Sequence, residues 1–112
     1  MSIKMKTLTI ITGASSGMGR EFARQIFPCC MSDELWLIAR RKEKLEELAA
    51  ELTGTNDSQK KNQKTDIKIF AADISGKEGA AHFAKLLEQE NAKNEISIKT
   101  LINNAGFGTY GT

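Results

Sequence analysis

The stretch that most constrains this chain is Thr12-Gly13-Ala14-Ser15-Ser16-Gly17-Met18-Gly19, directly after the apolar run Leu8-Thr9-Ile10-Ile11. A short apolar run ending in glycines reads as a buried strand followed by a sharp turn. The residues after the turn take up a helical repeat. Strand, glycine turn and helix start, in that order, let the backbone approach a pyrophosphate closely. The unpaired N–H groups and positive dipole end of the helix then face the anion.

The rest of the chain alternates between the same two patterns. Thr7 to Ile11 is the first strand. Met18, Phe22 and Ile26, with Ala23 and Phe27 beside them, form one apolar helix face, which Pro28 closes. Leu35 to Ala39 is continuously apolar, as in a strand covered on both faces. Leu45, Leu48, Ala49 and Leu52 give a second amphipathic helix. The polar stretch Thr53 to Thr65 reads as an exposed connection, its lysines solvated because no aromatic residue accompanies them. Ile67 to Ala71 is a third strand. Ser75-Gly76-Lys77-Glu78 matches a capping box, and Ala80, Phe83, Ala84 and Leu87 give the third helix its apolar face. Lys99 to Ile102, with a possible start near Ile96, is a fourth strand.

Four strands alternating with three helices imply right-handed crossovers and a parallel sheet. The expected class is α/β, a Rossmann-like doubly wound parallel sheet of order 3-2-1-4. A ligand belongs at the carboxyl ends of strands one and four, where the order switches. The 112 residues leave room for one domain. A net charge of +2 is too small to argue for nucleic acid or a membrane surface, and no apolar stretch approaches the roughly 18 residues of a membrane span. Lys4 and Lys6 precede an apolar run that glycines soon break, so it reads as a strand and not an export signal. A cytoplasmic location is expected by default.

Cys29 and Cys30 are adjacent, which suits neither a bridge nor a metal site, and they read as buried or half-buried thiols. His82 is the single histidine and falls in a helical pattern, on a surface or packed, with no second imidazole to share a metal.

The glycine spacing at Gly13, Gly17 and Gly19 is G-x-x-x-G-x-G, and Asn103-Asn104-Ala105-Gly106 stands directly after the fourth strand. Together these resemble the short-chain dehydrogenase/reductase family, whose members carry Thr-Gly-x-x-x-Gly-x-Gly after strand one and Asn-Asn-Ala-Gly after strand four. The similarity spans nearly the whole chain but only the N-terminal half of a family member, so residues 1–112 are expected to form a partial NAD(P)-binding domain. The resemblance implies that Gly13, Gly17 and Gly19 form the turn under the pyrophosphate. It implies that Ser15 and Ser16 bond phosphate through hydroxyl or N–H, and Met18 through its backbone N–H. Asp73 and Ile74 match the acidic-plus-apolar pair that holds the adenine, although Asp73 could cap the next helix as well or instead. Asn104, Ala105 and Gly106 would line the ribose side, and Asn103 would bond backbone within the sheet.

Charge bears on the choice of cofactor. NAD sites place an acid about 20 residues after the glycines to bind the ribose 2′-hydroxyl. Here Ala39 is followed by Arg40 and Arg41. Guanidinium pairs with phosphate by two parallel charge-assisted bonds, so NADP(H) is expected over NAD(H), with Arg40 on the 2′-phosphate. The alternative is that the arginines are simply solvated. Cations at a helix N-terminus oppose its dipole, which favours a ligand-driven reason.

The family transfers hydride between nicotinamide and a carbonyl or alcohol carbon, using a Ser, an Asn and a Tyr-x-x-x-Lys pair beyond strand four. The only tyrosine is Tyr110, and the matching lysine would fall beyond Thr112, so no catalytic residue is assigned. The expectation is an oxidoreductase portion, truncated after strand four and inactive alone, that meets a carbonyl or alcohol substrate only when a C-terminal half completes it. The alternatives are a stand-alone non-catalytic nucleotide-binding module and a half-domain needing a partner chain. Strand four is expected to present an open edge prone to self-association.

Overall fold

The computed structural model describes residues 5–15, 17–54, 65–74, 76–93 and 95–103. In chain order the elements are β1 (Lys6–Thr12), α1 (Gly17–Ile26), a 3-10 turn (Phe27–Cys29), β2 (Glu34–Ala39), α2 (Lys42–Thr53), β3 (Asp66–Ala71), α3 (Gly76–Lys93) and β4 (Ile96–Asn103). The sheet order is β3-β2-β1-β4 and every pairing is parallel. This is the expected Rossmann-like α/β arrangement. Parallel pairing needs a crossover after each strand, and the three helices supply it.

Two apolar clusters sandwich the sheet. On one face Ile11, Leu35 and Leu37 meet Ala23 and Phe27 of the first helical segment and Leu45, Leu48 and Leu52 of α2. On the other, Leu8, Ile10, Trp36 and Ile38 meet Phe70 and the α3 residues Phe83, Leu86 and Leu87. Every residue of β2 is buried, because helices cover it on both faces and strands flank it on both sides. Trp36 and Phe70 stack at a tilt, ring centroids 4.6 Å apart.

Three details differ from the sequence expectation. Helix α1 buries Gly19 and Ala23, not the Met18–Phe22 edge; Met18 is 60% exposed and Phe22 36%. The small residues win because they let the helix approach the sheet. On α3, Phe83 and Leu87 face the sheet as expected, but Ala80 and Ala84 are exposed and Leu86 takes the inner position. Of the adjacent thiols, Cys30 is buried and Cys29 exposed.

The polar connection also has one buried end, at Thr65. Thr53 closes α2, Gly54 caps it in the left-handed region (φ 65°), and Thr65 is buried, its hydroxyl donating to the Ser32 carbonyl at 2.7 Å. The intervening residues, like Ser75 of the expected capping box, lie outside the described residues.

At the amino ends of the strands a charge network ties α3 to the sheet. Glu34 is buried, accepts from Trp36 Nε1 at 2.9 Å and pairs with Lys6 at 3.1 Å, while Lys6 Nζ also reaches Glu90 at 2.7 Å. A buried carboxylate is tolerable only with partners of this kind. The Lys6 ammonium holds the Glu90 carboxyl below its ordinary value, and bonding to Glu90, then Glu34, raises Lys6.

Strand β4 is the least covered. Between Leu8 and Thr9 of β1 its register shifts so that Lys99 has no counterpart, a one-residue bulge. Ile98 pairs with Leu8 and Leu101 with Ile10, which places both on the α3 side of the sheet. They are nevertheless 41% and 47% exposed, because α3 covers β1, β2 and β3 and leaves this end of the face open.

Candidate functional site

The carboxyl ends of all four strands lie along one edge of the sheet, since the pairings are parallel. That edge gathers the residues singled out by the sequence. At the end of β1, Gly13 turns the chain at φ 66°, a conformation that a Cβ would strain. Ala14 is fully buried and its N–H donates to the Ile38 carbonyl at 3.1 Å, so the glycine turn is tied to the end of β2. Ser15 is half-buried beside it, and Ser16 lies outside the described residues.

Helix α1 starts at Gly17 with no acidic residue in its first turn. A Cβ built on Gly17 would meet nothing within 4 Å, so the helix start is open on the side that this position faces. Met18 is exposed there, and Gly19 is buried against the sheet. An open helix N-terminus without a carboxylate is suited to an anion, because its first N–H groups have no intrahelical acceptor.

The end of β2 leads into an unusual helix start. Arg41 occupies the N-cap of α2 at φ −102° and ψ 110° and makes no side-chain cap bond. Ser, Thr, Asp and Asn normally stand there, because their oxygens accept the orphan N–H groups; arginine has only donors. Arg40, Arg41 and Lys42 are all exposed, and none of their side chains bonds to another described residue. Three unpaired cations gather where the helix dipole is already positive.

The end of β3 is held to β2 by Ala72, whose N–H donates to the Ala39 carbonyl at 2.8 Å. Asp73 is exposed, and Ile74 is half-buried against the cluster under α3. A cavity of about 300 Å³ opens beside this strand end, lined by Lys42, Phe70, Ala71, Ala72, His82 and others. Sequence reasoning gave Lys42 and His82 no role there, since nothing in their local pattern brings α2 and α3 to one strand edge. Gly79, buried on α3 against Ile74, was missed for the same reason.

At the end of β4, Asn103 pairs with Thr12 in the register, as expected of a residue bonded within the sheet. Its side chain is engaged as well, accepting from the Thr12 hydroxyl at 2.9 Å. Asn104, Ala105 and Gly106 lie outside the described residues. Among the described residues no cluster of His, Cys, Asp or Glu could hold a metal, and no helix is long and apolar enough to cross a membrane.

Comparison with known proteins places this arrangement. A very-long-chain 3-oxoacyl-CoA reductase from Lodderomyces elongisporus is 36% identical over 97 residues, covering 87% of this chain and 24% of that protein. A betaketoacyl-ACP reductase from Bacteroides thetaiotaomicron superposes with a TM-score of 0.63 at 27% identity, over 90% of this chain and 42% of that one. An alcohol dehydrogenase from Thermococcus sibiricus, solved with 5-hydroxy-NADP, superposes with a TM-score of 0.54 at 30% identity, over 78% of this chain and 33% of that one. The chain thus spans less than half the length of each of these relatives. Residues 7–112 match the family described as short chain dehydrogenase. With the 3-2-1-4 sheet and the glycine turn at the end of β1, this chain belongs to the short-chain dehydrogenase/reductase family of oxidoreductases.

Proposed function

We propose that this chain forms the NADP(H)-binding portion of an oxidoreductase that acts on a carbonyl or alcohol carbon. The observation that carries the preference for NADP(H) is the start of α2. Among the described residues Arg40, Arg41 and Lys42 have no side-chain partner, and they stand at a helix N-terminus that lacks a side-chain cap, next to the glycine turn. A 2′-phosphate would neutralise the arginines and accept the orphan N–H groups together. An adenosine ribose without that phosphate would leave them as they are.

Features of the described residues support this reading. Gly13, Gly17 and Gly19 shape the turn, and the open space over Gly17 leaves room for the pyrophosphate. Ser15, Ser16 and the Met18 N–H would bond its oxygens. Arg40 and Arg41 would hold the 2′-phosphate, Asp73 and Ile74 the adenine, and Asn104, Ala105 and Gly106 the ribose side. When bound, the nicotinamide gives or accepts the hydride. The residues of this chain bind and orient it, and no catalytic residue is assigned among them. The relatives are named as reductases and an alcohol dehydrogenase, which supports a carbonyl or alcohol as substrate class. The whole reaction belongs to a longer assembly carrying the family's Tyr-x-x-x-Lys segment. A cytoplasmic setting suits a cofactor made and recycled there.

A second reading is favoured by β4. With β1 as its one neighbour among the described residues and Ile98 and Leu101 exposed, it calls for a covering segment, from a completing chain or by self-association.

The test is a titration of the purified chain with NADPH, followed by calorimetry. Saturable binding of one equivalent is expected. Absence of binding by a folded chain contradicts the proposal.

A further inference from the structure

Gly79 lies near the start of α3 and is buried. A Cβ at this position would stand 1.9 Å from the carbonyl carbon of Ile74 and 2.4 Å from its Cα and its oxygen. Carbon atoms pack at about 3.5–4.0 Å, so no side chain fits. The obstacle is backbone, and no rotamer change relieves it. Either α3 or the segment before it must move.

That segment is fixed from its other side too. The Ala72 N–H is bonded to the Ala39 carbonyl at the end of β2. Between the two anchors the chain reverses through Gly76, at φ 71° with open space where a Cβ would be. Residues 72–74 are therefore clamped between the end of β2, where Arg40 follows, and the helix surface at Gly79. Ile74 packs its side chain into the cluster under α3 from this position.

We propose that Gly79 is a positioning residue for the adenosine half of the cofactor, setting where Asp73 and Ile74 stand relative to Arg40. The inference rests on the NADP(H) reading above. The pyrophosphate turn belongs to β1 and α1 and is fastened to β2 at Ile38, whereas the clamp is fastened at Ala39 and Gly79. The clash of a side chain at position 79 falls on the Ile74 backbone, so it displaces the adenine seat more than the phosphate seat.

The experiment compares two probes, adenosine 2′,5′-bisphosphate and inorganic pyrophosphate, on the chain and on Gly79→Ala. Weakening of the bisphosphate by about tenfold, equivalent to about 1.4 kcal/mol, is expected, with pyrophosphate changed by less than about twofold. Leu87→Ala, farther along the same helix, should lower Tm without altering the ratio of the two affinities. Gly76→Ala strains the same turn without a clash and should shift the ratio in the same direction, which keeps the test open if Gly79→Ala does not fold. A wild type that binds both probes, with an unaltered ratio in the glycine variants or the same ratio change in Leu87→Ala, overturns the role of Gly79 alone. A folded wild type that binds neither probe overturns the NADP(H) reading, and this inference with it.

Discussion

The Thr12 hydroxyl donates to Oδ1 of Asn103 at 2.9 Å, joining two side chains 91 positions apart in the chain. Thr12 opens the glycine turn and Asn103 opens the second motif, so the bond locks the two motif-bearing strand ends side by side. Thr12 is buried, so its hydroxyl needs an acceptor inside the protein. Thr12→Val keeps the shape and removes the donor. It should cost about 0.5–1.5 kcal/mol, the usual net worth of such a bond. A double-mutant cycle with Asn103→Ala, read by urea unfolding, should return a coupling of about 0.5 kcal/mol or more. Strict additivity would show that the contact carries no energy.

The clamp of Lys6 on Glu90 makes stability depend on pH. The Glu90 carboxyl titrates below its ordinary 4.5 because Lys6 bonds it. Its contribution is therefore complete above about 4.5 and is lost as pH falls through the depressed folded value. Lys6 titrates above its ordinary 10.5, so its share is complete below that pH and fades only as pH rises past the raised value. Glu90→Gln should be less stable than wild type at pH 7, and the gap should narrow in urea melts as pH falls below about 4.5. A gap that stays constant over this range would remove the ion pair from the account.

Ile98 and Leu101 sit exposed on the same face of β4. Leu101→Lys should leave far-UV circular dichroism unchanged and shift sedimentation toward the 12.3 kDa monomer, because a charge on an apolar edge discourages pairing. Equal association by both proteins would place the self-association surface elsewhere.

How much of this could be read from the chain depended on whether the signal was local. The glycine turn, the continuous apolar run of β2 and the Leu45–Leu48–Leu52 stripe of α2 are each encoded within one element, and the 3-2-1-4 sheet follows from their alternation. The outward placement of Met18 and Phe22 was not legible, because helix spacing shows that a face is apolar but not which edge of it meets the sheet. Gly79 looked like an unremarkable helix residue; its requirement comes from the backbone of Ile74, which packs back on it. The bulge at Lys99 is likewise visible only against the register of β1. At the site, the arginines after β2 were evident, while the missing cap of α2 that gives them meaning needed the backbone conformation of Arg41.

The most direct measurement is the ratio of NADPH to NADH affinity for the chain and for Arg40→Asp. Each charge-assisted bond to phosphate is worth about 1.5–3 kcal/mol, so the wild type should prefer NADPH by at least about tenfold. Arg40→Asp should abolish that preference through loss of NADPH binding, with NADH little changed. Equal affinities in the wild type, or equal losses of both dinucleotides in the variant, would contradict the assignment of Arg40 to the 2′-phosphate and the NADP(H) reading built on it.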